Sequence, residues 1–182
     1  MGGLTAISLA AERPDLVRSL VVVEASPVGD GEDAEAAARD IGAALRAWPV
    51  PFPSPPDAEA FFAERFGGRL AGEAWAAGLE QRADGWWPRF DVEVMVETLL
   101  AASAQPNWAD WQRIRCPTLV VRAGQGLLEA EVAGAMVAAL PTAQLAELPE
   151  ARHDLHLDRP GEWREILTRF LDSPAPPPRT ER

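Results

Sequence analysis

Two short apolar runs, far apart in the chain, constrain the fold more than any other feature. They are Ser19–Glu24 and Pro117–Arg122, both rich in Val and Leu and without apolar–polar alternation. Strands that are apolar on both faces are typical of a parallel sheet covered by helices on both sides. A third, shorter strand is predicted at Gln144–Leu148. Because strands alternate with helical segments, the sequence predicts an α/β fold with a parallel sheet.

Helical segments flank these strands. Small and apolar residues recur at helical spacing before Pro14, which predicts a buried helix there. A second helix is predicted at Ala130–Leu140, after the loop Gly124-Gln125-Gly126. Residues 152–158 are expected to form a loop. Asp158 is predicted to be the N-cap of a last helix that has Pro160 in its first turn.

The segment between the first two strands has a different composition. Residues 28–115 are acidic and rich in Ala and Trp, with five prolines between Pro49 and Pro56. Its patterns predict helices near residues 33–48, 57–66, 70–82 and 91–102, and then a short turn around Trp108 and Trp111. We therefore expect a core of residues 1–27 and 116–172, an inserted helical cap at 28–115, and a disordered proline-rich tail at 173–182.

The charge and the cysteine content exclude several classes of protein. The net charge is −11 and all basic residues are arginine, so nucleic acid and anionic membrane surfaces are not expected partners. No run approaches the roughly 20 apolar residues of a membrane span. Cys116 is the single cysteine, and Met1–Ala6 lack the basic start of a signal peptide. We expect a cytoplasmic protein whose partner is a small molecule.

Three stretches, in this order, resemble the α/β-hydrolase family. The first joins Met1-Gly2-Gly3 to residues 13–24, the second is residues 115–121, and the third is His153–Pro160. They are similar to the family's nucleophile helix with its sixth strand, its seventh strand after a helical cap, and its histidine loop with the final helix. The resemblance implies the C-terminal part of an α/β-hydrolase fold, with helices on both faces of a parallel sheet and no cofactor.

The family's nucleophile elbow has the pattern G-x-S-x-G, a sharp turn that exposes the serine oxygen. If Met1 is the fourth position and Gly2 the fifth, the serine would stand immediately before Met1. We therefore expect a chain truncated just after its nucleophile, with the backbone N–H of Met1 in the oxyanion hole. The alternative is that the first three residues are only a flexible start.

His153 is the candidate general base. In the family a histidine in this loop takes the proton of the serine, and its place after the last strand agrees with the chain order Ser, acid, His. The usual glycines before it are replaced by residues 150–152, Glu-Ala-Arg. The alternative is a solvated loop histidine beside Asp154.

The candidate acid is Glu24. Many relatives place an aspartate after the seventh strand, but residues 124–129 contain none. Some relatives, including certain haloalkane dehalogenases, use a carboxylate at the end of the sixth strand, where Glu24 stands. The alternative for Glu24 is a structural glutamate that binds loop amides. Glu129 is expected only to stabilise the first turn of the following helix.

Other features suggest weaker alternatives. His153, His156 and Asp158 are a poor set of metal ligands, and no metal is expected. Cys116 is interpreted as a buried small apolar residue. Five aromatic residues either pack the cap or line an apolar substrate pocket: Trp86, Trp87, Phe90, Trp108 and Trp111.

The resemblance implies an esterase-like hydrolase that acts on a small apolar substrate by a Ser-His-acid mechanism. Two alternatives stay open. One is a non-catalytic interaction protein derived from the hydrolase fold, and the other is a haloalkane dehalogenase-like enzyme with aspartate in the elbow. Self-association through an exposed sheet edge is also expected.

Overall fold

The computed structural model describes residues 2–27, 32–103 and 107–172. The predicted tail at 173–182 lies outside the described residues. In chain order the elements are α1 (Gly2–Glu12), β1 (Leu20–Val23), α2 (Glu32–Arg46), α3 (Pro55–Phe66), α4 (Arg69–Ala76), β2 (Leu79–Arg82), β3 (Gly85–Pro88), α5 (Val92–Ser103), α6 (Trp108–Arg113), β4 (Thr118–Gln125), α7 (Ala130–Ala139), β5 (Ala143–Arg152), α8 (Leu155–Asp158) and α9 (Pro160–Asp172).

The chain divides into two compact units. The first unit comprises Met1–Val28 and Pro106–Arg182, and the second unit comprises Gly29–Gln105. The insertion predicted from the sequence extended to residue 115, whereas the structure assigns α6 to the first unit. The physical reason is Trp111, which is fully buried in the first unit's core, where its indole N–H donates to the Met136 carbonyl at 2.8 Å.

The first unit is built on a parallel three-stranded sheet in the order β1, β4, β5. The parallel sheet predicted from the sequence is confirmed. Two strands are longer than predicted, since β4 continues to Gln125 and β5 to Arg152, and these two residues pair beyond a register shift. His153 therefore follows the strand directly, and α8 occupies most of the predicted loop.

Both faces of this sheet are covered, which explains the apolar runs without alternation. Val120 packs with Ile7 and Val22 in one cluster, and Val121 packs with Leu148 and other residues in a second cluster. Adjacent residues of a strand point to opposite faces of the sheet. Val120 and Val121 are both completely buried because helices and loops cover the two faces.

The second unit has an aromatic core. Phe62 contacts Trp48 with ring centroids 4.8 Å apart, and Phe52 with centroids 5.3 Å apart. The helices α3 and α4 approach closely at Gly72, where a Cβ would lie 2.5 Å from the Glu59 carbonyl oxygen. This close approach lets two short helices pack without side chains between their backbones.

One helix predicted for the second unit is wrong in part. The sequence predicts a helix over 70–82, but α4 ends at Ala76, and β2 forms an antiparallel hairpin with β3. Gly85 at the turn has φ +142°, which favours glycine, and Asp84 accepts a hydrogen bond from the Trp87 indole at 2.9 Å. This turn chemistry outweighs the helical propensity of residues 79–82.

No helix within residues 2–27, 32–103 and 107–172 combines the length and the apolar character needed to cross a membrane.

Candidate active site

Glu24 stands at the carboxyl end of β1, where open α/β sheets place their sites. Its φ is +50°, an uncommon conformation for a residue other than glycine. The side chain is 0% exposed. A buried carboxylate on a strained backbone needs strong compensating contacts, and such strain is concentrated at functional sites.

Backbone N–H groups from the end of β4 and from the loop after it supply those contacts. The Ala123 N–H donates to Oε1 of Glu24 at 2.6 Å. The N–H groups of Leu127 and Leu128 donate to Oε2 at 2.5 and 3.4 Å. Hydrogen bonds from several backbone amides favour the ionised form of a carboxyl group. The loop that lacks an aspartate is therefore folded around the carboxylate of another strand.

Gly126 makes room for this arrangement. A Cβ at this position would overlap Oε2 and Cδ of Glu24 and would lie 2.8 Å from Oε1. Any larger residue at this position would push the carboxylate away from its amide donors. Sequence reasoning missed Gly126 and did not identify the three donors, although it offered the binding of loop amides as the alternative role of Glu24. The one available indication was a glycine-containing turn beside a strand that ends in a carboxylate.

His153 faces the same carboxylate. Its Nδ1 lies 3.7 Å from Oε2 of Glu24, longer than a hydrogen bond but within ion-pair distance. The imidazole is 55% exposed, so the ring remains accessible from solvent. The structure thus brings together His153 and Glu24, which the sequence suggested as base and acid. It also shows backbone amides bound to Glu24, as the alternative interpretation of a structural glutamate requires.

The two groups shift each other's proton affinity. The Glu24 carboxylate raises the pKa of His153 above its ordinary value, against the opposing effect of burial. Burial alone would raise the pKa of Glu24, but His153 and the three backbone N–H groups outweigh it, and that pKa is lowered. The site therefore favours an ionised glutamate next to an imidazole that holds its proton more tightly.

The predicted role of Asp158 as an N-cap is wrong. Asp158 ends α8, and its carboxylate accepts hydrogen bonds from the Arg152 backbone N–H at 2.8 Å and from the Arg152 guanidinium at 2.8 and 3.0 Å. Burial would raise the pKa of Asp158, but Arg152 outweighs it and lowers that pKa. This contact fixes the residue before His153.

The remaining candidates are placed as follows. Met1 lies outside the described residues, whereas Gly3 packs against the end of β1, where its Cβ would lie 2.5 Å from that of Ala25. Glu129 is exposed at the start of α7. Cys116 is half-buried, and burial raises the pKa of its thiol.

His156 is exposed on α8 and borders the depression that also contains Glu24 and His153. Asp158, the third residue of the weak metal alternative, is held by Arg152. Within the part of the chain that the structure describes, no group of three or more His, Cys, Asp or Glu side chains is arranged to hold a metal ion.

Comparison with known proteins gives consistent matches. Residues 1–166 match the Alpha/beta hydrolase family. The sn-1-specific diacylglycerol lipase ABHD11 of Mus musculus is 30% identical over 181 residues, which cover 94% of this chain and 56% of that protein. The chain thus spans just over half the length of this curated relative.

Solved structures agree in fold. E-2-(acetamidomethylene)succinate hydrolase has a TM-score of 0.81 at 23% identity, covering 94% of this chain and 64% of that one. An esterase of M. tuberculosis has a TM-score of 0.71 at 22% identity, covering 94% of this chain and 60% of that one.

Proposed function

The chain belongs to the α/β-hydrolase family, and on that premise we propose that it carries the base and the acid of a serine hydrolase. The bond cleaved is an ester or a similar bond in a small apolar substrate. The mouse relative is a diacylglycerol lipase, and one structural neighbour is an esterase, which supports ester chemistry. The observation that carries the proposal is the buried Glu24 carboxylate facing His153.

In the proposed mechanism the nucleophile is a serine that precedes Met1 in the intact enzyme. Its hydroxyl oxygen attacks the substrate carbonyl while His153 takes the hydroxyl proton. The tetrahedral intermediate collapses, the alcohol leaves with the proton from His153, and an acyl-enzyme remains. Water then attacks the acyl-enzyme with His153 as the base again, and the carboxylic acid is released as His153 returns the proton to the serine oxygen. The backbone N–H of Met1 is proposed to donate to the oxyanion.

Glu24 has two tasks in this mechanism. It holds the imidazole in one tautomer and stabilises the imidazolium that forms during each attack. The three backbone amides and the space at Gly126 keep the carboxylate ionised and fixed. Because Glu24 raises the pKa of His153, kcat/KM is expected to rise with pH through an inflection above 6.5, the ordinary histidine value.

The experiment compares residues 1–182 with the same chain extended by its upstream sequence, using p-nitrophenyl butyrate as substrate. We expect turnover only from the extended chain. In that chain His153→Ala should abolish turnover, and Glu24→Gln should lower kcat by roughly 10²–10⁴-fold with little change in KM. Glu24→Gln should also move the pH inflection downward.

Glu129→Gln is the matched control, because Glu129 is an exposed glutamate at the start of α7 that touches neither residue of the pair. It should leave kcat unchanged. If Glu129→Gln is the damaging change and Glu24→Gln has no effect, the acid is misassigned. Turnover by residues 1–182 that persists in His153→Ala would place the chemistry elsewhere.

The same carboxylate position favours one second candidate, a haloalkane dehalogenase-like enzyme with aspartate in the elbow. Chloride release from 1-chlorobutane by the extended chain, without hydrolysis of p-nitrophenyl butyrate, would select it.

A further inference from the structure

A depression in the second unit has an unusual lining. Its volume is about 370 Å³, within the range of small-molecule sites. Apolar and aromatic side chains form most of its wall, among them Leu45, Trp48, Trp87 and Phe90. The charged residues of the lining are three arginines and one aspartate: Arg46, Arg82, Arg89 and Asp91. Every one of these residues belongs to the second unit.

The concentration of arginine contrasts with the composition of this segment. Residues 29–105 contain fourteen acidic residues and only six arginines, and three of the six line this one depression. A pocket with an apolar wall and a few convergent charged groups is the usual form of a site for a small charged molecule.

The carboxylates near the depression are already engaged. Arg46 forms two hydrogen bonds with Glu93, at 2.9 and 2.7 Å, and Arg82 pairs with Glu80 at 2.8 Å. Oδ1 of Asp91 accepts the backbone N–H groups of residues 93 and 94 at the start of α5. Glu93 and Glu80 therefore pair with two of the three arginines, Asp91 caps the start of α5, and one guanidinium is left without an ion-pair partner among the described residues.

That guanidinium belongs to Arg89. The side chain is exposed, and within the described residues it forms no ion pair or hydrogen bond. The neighbouring Arg82 guanidinium lies 5.4 Å from the centroid of the Trp87 ring. An arginine presents a planar fork of donors that matches a carboxylate, and a ring beside it offers a flat apolar surface to the rest of a ligand.

We propose that this depression binds a small organic carboxylate with a flat apolar body. The carboxylate pairs with Arg89, whereas Arg46 and Arg82 stay paired with Glu93 and Glu80. The apolar body lies against Trp87 and Phe90. The proposal concerns binding within the second unit alone, so it does not depend on the proposed hydrolysis.

The test is titration calorimetry of residues 1–182 with benzoate. Benzamide, which has the same ring without the charge, and inorganic phosphate, which has charge without a ring, are the comparison ligands. We expect saturable binding of benzoate, and binding at least about tenfold weaker for both comparison ligands. Arg89→Gln should weaken benzoate binding by about tenfold, as expected for the loss of one charged hydrogen-bond partner.

Arg69→Gln is the matched control. Arg69 is an exposed arginine of the same unit that pairs with Glu73 on its own helix, away from the depression. Its substitution should leave benzoate binding unchanged. The proposal is overturned if benzoate fails to bind at millimolar concentration, if benzamide or phosphate binds as tightly as benzoate, or if Arg89→Gln binds like the wild type.

Discussion

In the first unit a carboxylate with no exposed surface, Glu24, is held inside the protein at the end of a parallel strand. In the second unit, by contrast, the described ion pairs all lie at the surface, and each of their side chains is at least 44% exposed. Backbone amides make this difference. The end of β4 and the loop after it direct three N–H groups towards one carboxylate, whereas the amides within a helix are already bonded to its own carbonyls.

The cores of the two units also differ in composition. Apolar side chains pack on both faces of the sheet in the first unit, whereas aromatic rings in mutual contact form the core of the second unit. The buried carboxylate of the first unit is therefore bound by the backbone, whereas the described ion pairs of the second unit lie at its surface and Arg89 has no ion-pair partner among the described residues.

The largest expected effect comes from two large buried aromatic residues, one in each unit. Trp111→Ala in the first unit and Phe62→Ala in the second should each lower the free energy of unfolding by about 3–5 kcal/mol, because each leaves a large cavity. Hydrogen exchange read by mass spectrometry should show lost protection mainly in the unit that carries the change. Trp111→Phe, which keeps most of the ring but loses the bond to Met136, is the milder control. Equal loss of protection in both units for either alanine variant would mean that they unfold as one.

A smaller effect is expected from two crowded glycines. Gly126→Ala forces a methyl group onto the Glu24 carboxylate, and Gly72→Ala forces one onto the Glu59 carbonyl. Each should cost about 1–3 kcal/mol of unfolding free energy in chemical denaturation. The two should differ in the pKa of His153, which we expect Gly126→Ala to lower and Gly72→Ala to leave alone. Gly134→Ala is the control, because a Cβ there meets nothing within 4 Å.

An unchanged His153 pKa in Gly126→Ala would show that the position of the Glu24 carboxylate does not depend on the space at Gly126. A shift of that pKa in Gly72→Ala would mean instead that the two units are coupled.

The smallest effect is a pH dependence of stability. The raised pKa of His153 stabilises the fold fully below about pH 6.5, and this contribution is lost as the pH rises through the folded value. The lowered pKa of Glu24 stabilises the fold above about pH 4.5 and loses that contribution as the pH falls through the folded value. Denaturation of His153→Gln should therefore differ most from wild type between pH 4.5 and 6.5 and converge with it at high pH. A constant difference at all pH values would rule out the ion pair.

Much of the first unit could be predicted from the sequence. The runs that contain Val22 and Val120 are apolar on both faces, and only a parallel sheet with two covers buries such strands. Glu24 and His153 could be proposed because strand ends and the loops that follow them meet at one edge. Which three amides hold Glu24 could not be predicted, since almost every residue carries a backbone N–H.

The second unit was harder to predict. Residues 79–82 are acceptable in a helix, and the turn at Gly85 is reinforced by burial of Leu79 in the aromatic core, opposite the buried Pro88. The pairing of Asp158 with Arg152 could not be predicted either, because it also depends on tertiary structure. A carboxylate near a helix start suggests an N-cap, and only the path of β5 brings Arg152 within reach.

The central claim is that Glu24 controls the protonation of His153, and a proton NMR titration of residues 1–182 tests it most directly. The chain has two histidines, so His156 provides an internal reference and His156→Gln assigns the signals. We predict that His153 titrates above pH 6.5, and that Glu24→Gln moves its pKa downward while Glu129→Gln leaves it unchanged. An identical His153 titration in the wild type and in Glu24→Gln would show that Glu24 does not control the protonation of His153.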